Sequence, residues 1–493
     1  MSRNIAKRPS LLYRNGLSQP GLVGQLLLCA GLLNGCAVGP DFQTPAANLP
    51  ATFANATHAE FSERDVEVSW WKSFNDPQLI ALVDQALHHN YDLKAARANL
   101  AEARALYLES GLNLLPTVTS HANYTEQKRS TGSMNNRNFV PRELKLYNLG
   151  FDASWELDFF GRVRRNVEAS NDEVEAQEAS LRDVSVSLIS EVARNYFELR
   201  GLQNQLAVAR QNVENQAQTQ ELTRVRAENG RGTELDTSRA LAQLESTRAE
   251  IPLLETAVAR AIHRLGVLTG QLPAALTDTL SQASPLPKAP DTLQIGNPGD
   301  LLKRRPDIRI AERNLAAATA RIGVATADLF PKVTFVGSIS LEASTLSGLV
   351  APGGDAYSVG PKISWAAFDL GRVYARIKAA DARAEASLAN YEQTVLNALE
   401  ETENALVNYN QERTRRALLA NAAQASEKAR ELAQLRYREG IADFLTVLDS
   451  EARLLQDQNQ LAQSETATAT ALTAVYKALG GGWQTVAKGK PGD

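Results

Sequence analysis

Residues 147–158 read YNLGFDASWELD. Tyr147, Leu149, Phe151, Ala153, Trp155 and Leu157 alternate with Asn148, Gly150, Asp152, Ser154, Glu156 and Asp158. A strand of this pattern has one apolar and one polar face. The pattern returns 210 positions later, where YSVGPKISW (357–365) sets Tyr357, Val359, Ile363, Trp365 and then Ala367 against Ser358, Gly360, Lys362 and Ser364. The same offset aligns Gly161-Arg162-Val163 with Gly371-Arg372-Val373, Glu191 with Glu401, Gly230 with Gly440, and Leu235 with Leu445. Upstream the offset is 215, matching Asn99-Leu100 to Asn314-Leu315 and Pro116 to Pro331. The five-residue difference falls in loops between strand segments, where insertions are tolerated. The chain is an internal duplication. Each copy reads helix, strand, loop, strand, long helix, turn, long helix.

The strands pair within each copy, with Val118, Ala122 and Tyr124 as partners in the first and Val333, Phe335, Ile339 and Leu341 in the second. Half-buried hairpins of a soluble sheet would also alternate. Two features favour a membrane. The segments are about 10–12 residues long, enough for a tilted strand, which needs ~9–11 to cross a bilayer. Aromatic residues (Tyr124, Phe159, Phe160, Phe330, Phe368) also cluster at their ends, as interfacial girdles do. Four strands cannot close a barrel, and an open edge is not tolerated in lipid. Closure needs more than one chain. Two chains give eight strands and three give twelve, and the pattern alone allows either.

Between Gly161 and Gly230 there is no proline and one internal glycine, Gly201; between Gly371 and Gly440 there is neither. Helices of that span would reach about 100 Å. Leu181, Val184, Leu188, Val192, Tyr196, Leu199, Leu202, Leu206 and Val213 form a narrow seam at spacings of three and four. A filamentous coiled coil would share this pattern. The Asn229-Gly230 and Glu439-Gly440 pairs instead read as returns of helical hairpins, because glycine supplies a left-handed cap. Pro116 and Pro331 stand where helix gives way to strand. Residues 271–300 carry Pro273, Pro285, Pro287, Pro290 and Pro298 and read as an irregular connection.

The chain has 493 residues, 52 basic against 56 acidic, and a mean hydropathy of −0.27. That excludes a polytopic helical membrane protein and argues against a nucleic-acid partner. Arg3, Lys7, Arg8 and Arg14 precede a mostly apolar run over 17–33 that ends in Leu33-Asn34-Gly35-Cys36. This resembles a lipoprotein signal over 1–35, with Cys36 as the lipidated residue and Ala37 favouring outer-membrane sorting. Its loss removes four basic residues and no acid, leaving a net charge of −8. Cys29 and Cys36 cannot build a disulfide framework. His58, His88, His89, His121 and His263 lack metal-site spacing, and no nucleotide or nucleophile motif is present. No enzyme, metal or cofactor is expected.

Cys36-Ala-Val-Gly-Pro-Asp41-Phe42, Trp70-Trp71, Asp76-Pro77-Gln78-Leu79, Trp155 through Gly161-Arg162, Arg304-Arg305-Pro306-Asp307, and Tyr437-Arg-Glu-Gly440 through Val447-Leu448-Asp449 span the mature chain. Together they resemble the outer membrane factor family, TolC/OprM-type export ducts, in its NodT-like lipoprotein branch. The resemblance implies an α+β membrane protein. Three chains share a twelve-stranded β-barrel, four strands each, continued by an α-helical coiled-coil periplasmic barrel. It implies a passive outer-membrane exit duct for small molecules, drugs or other toxic compounds, in a homotrimer. The partners are a periplasmic membrane-fusion adaptor, an inner-membrane pump of the resistance-nodulation-division type, and outer-membrane lipid. A tethered, non-conducting scaffold is the competing reading, but it has no use for four membrane-length strands.

The expected layout has an anchored extension over 36–75, a helix over 76–115, a membrane hairpin over 116–158 and a helical hairpin over 159–270. An equatorial connection follows over 271–300. The second copy has a helix over 301–330, a membrane hairpin over 331–368 and a helical hairpin over 369–480, and the chain ends in a tail over 481–493. Extracellular loops are expected over 126–146 and 343–356. The resemblance places a periplasmic gate at Leu445 and Asp449. A second acidic ring of some relatives falls on Thr446, and a linking arginine falls on Ala442. Asp236 and Tyr437 match positions that link coils when the duct is closed.

Overall fold

The computed structural model describes residues 37–47, 49–56, 61–62, 64–130, 142–290 and 292–484. The signal segment, Cys36 and the end of the expected tail lie outside these. Contacts divide the chain into two compact units. One holds residues up to Pro40, Gly111–Asn166 and Arg321–Ile377; the other holds Asp41–Ser110, Val167–Ala320 and the chain from Lys378.

The first unit is built on a four-stranded antiparallel meander: β1 (Thr117–Lys128), β2 (Glu143–Leu157), β3 (Lys332–Ala343) and β4 (Asp355–Ser364). The two copies meet at the β2–β3 pair, where Tyr147 faces Ala343 and Leu157 faces Val333. Val118, Phe151, Ile339, Tyr357, Val359 and Ile363 lie on the apolar face and are all exposed. On the polar face His121 bonds Asn148 at 2.6 Å and Asp152 at 2.8 Å, and Asn148 donates to Glu342 at 2.7 Å.

β2 starts at Glu143, four residues before the alternating stretch, and β1 runs to Lys128. The expected 126–146 loop is shorter for that reason, and residues 131–141 lie outside the described set. Beyond the Tyr124–Tyr147 ring pair, 4.7 Å apart, the strands carry Lys145–Glu126 and Lys128–Glu143 ion pairs. The ladder therefore continues past the apolar band into a charged rim. The second loop also holds a short 3₁₀ turn, Leu346–Val350.

At the other end of the strands the duplication is visible atom by atom. The Trp155 indole donates to the Leu114 carbonyl and the Trp365 indole to the Leu329 carbonyl, each at 2.9 Å. Val38 N–H donates to the Phe160 carbonyl, and Arg165 donates to the Val38 carbonyl. Gly39, at φ 93°, crosses Gly323 so closely that a Cβ on Gly39 would lie 2.4 Å from its Cα. Ala37, the residue after Cys36, packs on Gly161 at the start of the next helix.

The second unit is helical. Its elements include α1 (Pro77–His89), α2 (Tyr91–Leu112), α3 (Arg162–Glu228), α4 (Glu234–Leu268), α5 (Pro298–Arg304), α6 (Pro306–Ala327), α7 (Leu370–Arg438) and α8 (Phe444–Ala478), several of which begin or end in the first unit. The single helices expected over 76–115 and 301–330 are each two helices. They break at the equivalent residues Asn90 and Arg305. The Asn90 amide donates to the Leu268 carbonyl at 3.0 Å, and the Arg305 guanidinium donates to the Ala478 carbonyl at 2.8 Å. Each break thus caps the end of the second long helix of its own copy, where acceptors are otherwise left open. Gly270 and Gly480, both at positive φ, turn the chain beside these caps.

The residues expected as an anchored extension reach into the core of this unit. Phe53, Trp70, Trp71 and Phe74 are buried with Tyr196, Phe197, Leu472 and Tyr476. Trp70 stacks on Tyr476 at 4.8 Å. Burying aromatic rings of this size stabilises the fold strongly, although most of the stretch between them is polar. The start of the expected tail is also held, because the Trp483 indole donates to the Arg304 carbonyl. Residues of the inter-repeat connection add a parallel pairing, Leu293–Gln294 with Phe61–Ser62.

Candidate functional site: the hairpin tips

Both long hairpins turn by the same device. Gly230 and Gly440 take φ of 69° and 75°. Arg231 N–H returns to the Arg226 carbonyl, and Ile441 N–H to the Arg436 carbonyl, each at 2.8 Å. This is the six-to-one bond of a glycine-terminated helix.

The helices that follow are capped by swapped residues. In the first copy Thr233 is the cap, and Asp236 closes a capping box upon it, with its carboxylate 2.8 Å from the Thr233 hydroxyl. In the second copy Asp443 is the cap, accepting from the Thr446 N–H at 3.0 Å and from its hydroxyl at 2.7 Å. These bonds hold the Asp443 carboxyl below the usual carboxylate range. The expected second acidic position is Thr446, and the structure sets a carboxylate against it from three residues upstream. Sequence reasoning passed over Asp443; the Asp-x-x-Thr spacing of a helix N-terminus was the available signal.

Behind the tip lies a small apolar cluster of Ala240, Ala433, Tyr437, Phe444 and Val447. Tyr437 is buried against Phe444, with ring centroids 5.7 Å apart. The Arg226 guanidinium lies 4.4 Å over the Tyr437 ring and donates to the Tyr437 carbonyl at 2.5 Å. Burial pushes the Tyr437 phenol up; Arg226 opposes this and nearby Asp236 adds to it. Tyr437 and Asp236 are therefore neighbours, but within the chain each is committed elsewhere, Asp236 to its cap and Tyr437 to Arg226. The Arg226 contact was not read from the sequence.

Leu445 and Asp449 lie one turn apart on α8 and are exposed, whereas their neighbours Phe444 and Val447 are buried. The helix thus presents an apolar and an acidic side chain together, away from the cluster. Among the described residues no group of three or more His, Cys, Asp or Glu is placed to hold a metal, and no helix is long and apolar enough to cross a membrane.

The outer membrane efflux protein family model matches residues 82–271 and 297–481, one match in each copy. Nodulation protein T of Rhizobium leguminosarum bv. trifolii is 33 % identical over 93 % of this chain and 97 % of its own length. The cation efflux system protein CusC of Escherichia coli O6:H1 is 32 % identical over 93 % and 98 %. The solved outer-membrane channel OprN superposes with a TM-score of 0.86 at 44 % identity, over 91 % of this chain and all of that one. The open-state channel MtrE of Neisseria gonorrhoeae gives 0.80 at 30 % identity, over 91 % and 99 %. The fold class expected from the sequence, four strands of a trimeric twelve-stranded barrel with a helical periplasmic tunnel, is that of these channels. The duplicated chain, with its membrane-length sheet and paired helical hairpins, belongs to the outer membrane efflux protein family, whose members are channels of the outer membrane.

Proposed function

We propose that this outer-membrane efflux channel works as a passive duct whose constriction is formed by the second hairpin tip. Three copies of Leu445 and Asp449 converge there on the channel axis. The observation that carries this reading is the exposure of both side chains on one face of α8, beside the buried Phe444 and Val447. Carboxylates gathered on an axis repel one another and attract cations. Asp443 adds a second ionised group at the same tip, in place of an acid at Thr446. Tyr437 and Asp236 act within the closed state, where Arg226 clamps the tip of α7 to α3. The absence of arginine at Ala442 leaves that clamp to Arg226.

The partners of this reading are two further copies of the chain, a periplasmic membrane-fusion adaptor, and an inner-membrane pump of the resistance-nodulation-division type. The cargo is small toxic molecules selected by the pump. Several relatives are named for drug-free cargoes: a toluene efflux pump protein of Pseudomonas putida and the cation efflux protein CusC. Lipidation at Cys36 tethers the N-terminus, and Ala37 beside Gly161, with Val38 N–H bonded to the Phe160 carbonyl, holds the following chain at the foot of the strands.

Single-channel recording in planar bilayers tests the gate. Asp449→Ala raises conductance and weakens cation preference; unchanged values for both would remove Asp449 from the constriction. Cys36→Ser abolishes the acyl mass in intact mass spectrometry and leaves trimers intact, since the barrel itself spans the membrane.

A further inference from the structure

Below the layer of Tyr196 and Phe197, the contact between α3 and α8 changes character. Asn212, Gln216, Thr219 and Thr223 of α3 are all buried, as is Glu451 of α8. The two helices run antiparallel in a steady register. Asn204 bonds Glu465 at 3.1 Å, Asn212 bonds Gln458 at 3.0 Å, and Thr219 bonds Glu451 at 2.6 Å. The same register sets Gln216 opposite Leu454 and Thr223 opposite Val447, both fully buried. Gln216 is 3 % exposed, and neither its amide nitrogen nor its oxygen has a partner. A buried primary amide with no partner is costly, and such groups call for a specific explanation.

The polar residues of α3 fall in four successive layers, but those of α8 alternate with apolar ones: Glu451, Leu454, Gln458. Moving α8 four residues toward the tip of α3 sets Gln458 against Gln216 and Glu451 against Thr223. Two polar pairs are kept, and the orphaned amide gains a partner. Asn212 retains its own bond to the Val208 carbonyl. Contacts inside the second hairpin travel with it: Gln434 to Glu451 at 2.8 Å, Gln458 to Glu427 at 3.3 Å, and Ser426 to Asp457. What must break is the Arg226 clamp on Tyr437, the Asn212 bond to Gln458 and the Thr219 bonds to Glu451 and Gln434, which leaves the Thr219 hydroxyl to a carbonyl of its own helix.

We propose that this polar seam has two registers one helical turn apart, and that the hairpin of α7 and α8 enters the second as the duct opens. This deepens the gate reading and rests on it. One-turn ratchets between packed elements are a known form of bistable motion. The geometry permits it without uprooting the Tyr196 layer. A turn of 5.4 Å between axes about 9 Å apart needs the pair to curve by about 0.6 radian. Spread over the ~30 Å from Tyr196 to Gln216, that is a radius of about 50 Å, slightly tighter than the ~60–100 Å of ordinary long helices. Gly201 eases the slide at the upper end, because it meets Thr466 with no side chain of its own.

The test uses the full-length protein in planar bilayers, with two engineered thiol pairs. Asn212→Cys with Gln458→Cys reports the resting register, and Gln216→Cys with Gln458→Cys reports the shifted one. The first pair is expected to cross-link at rest and to suppress openings at high voltage. The second is expected to cross-link only while voltage drives openings, and to hold conductance high until reductant is added. A second pair that cross-links equally well at rest, or that never does so while openings continue, overturns the proposal. Gln216→Leu, which fills the orphaned position, supplies a test free of cross-linking. It is expected to make openings about tenfold rarer by stabilising the resting register, and an unchanged opening frequency counts against the seam. Asp449→Ala in the otherwise native chain is recorded in parallel. If it fails to raise conductance, the gate reading is what fails, whatever the thiols report.

Discussion

The two copies of the repeat solve one problem with different chemistry. Each must end its second long helix against the break between two shorter ones. In the first copy a neutral amide does this: Asn90 donates to Leu268, and its side-chain oxygen accepts from the Leu93 N–H to start α2. In the second copy a charge does it. Arg305 donates to Ala478, pairs with both oxygens of Asp307 at 3.0 and 2.8 Å, and reaches Glu401 at 2.7 Å. Asp307 has taken over the start of the following helix, accepting from Ile308 N–H. The comparison shows that the duplication preserved a geometric role, a donor aimed at one terminal carbonyl, and left the residue type free. It also explains the Arg304-Arg305-Pro306-Asp307 motif as a staple between α5, α6, α7 and α8.

The difference predicts unequal sensitivity. Arg305→Ala strands Asp307 and Glu401 beside an uncapped helix end and should cost about 3–5 kcal/mol, read as a large fall in the unfolding temperature of the solubilised protein. Asn90→Ala removes two neutral hydrogen bonds and should cost about 1–3 kcal/mol in the same assay. If the two losses match, the charge at the second staple contributes nothing beyond its geometry.

The adjoining glycines rank the other way. A Cβ on Gly270 would lie 2.3 Å from the His89 carbonyl oxygen, whereas one on Gly480 would meet nothing closer than 3.2 Å. Both alanine variants carry the left-handed strain of roughly 1–2 kcal/mol, and Gly270→Ala should be the more destabilised. Smaller still are Trp155→Phe and Trp365→Phe, each losing one indole-to-carbonyl bond worth about 1 kcal/mol. Equal shifts for these two would confirm that this contact is the best-preserved part of the repeat.

Asp172 sharpens the comparison through pH. It sits on α3 of the first copy, and Ala382 stands at the equivalent place in the second. Burial raises its carboxyl to about 6, against the pull of Arg313 at 3.1 Å. The folded chain therefore holds a proton that the unfolded chain releases near pH 4. Stability falls as pH rises from about 4 to about 6 and is level above that. Asp172→Asn should flatten this slope in unfolding measured across the range.

Much of this architecture was legible in the sequence because periodicity is local. The alternation at 147–157, its return 210 residues later, and the glycine returns at 230 and 440 depend on neighbours along the chain or on one repeated offset. The staples were not legible, since Asn90 and Arg305 act on carbonyls some 175 residues away. The core role of Trp70 and Trp71 was hidden for the same reason. At the tip, the exposure of Leu445 and Asp449 fits the pattern of α8. The cap exchange between Asp443 and Thr446 could have been read from spacing. The Arg226 clamp could not, because it joins two helices that are separated by 211 residues.

The pairing of β2 with β3 also fixes an order of events. Residues 143–157 cannot complete their ladder until residues 332–343 exist, and Gly39 cannot seat until Gly323 has arrived. A chain half delivered across the inner membrane therefore carries one finished hairpin with an open edge and a bare apolar face, the kind of surface that draws aggregation. Closing such a long loop is slow by its entropy. The fold builds in a waiting period, during which the first copy must be kept from pairing with the wrong strand until its twin is made.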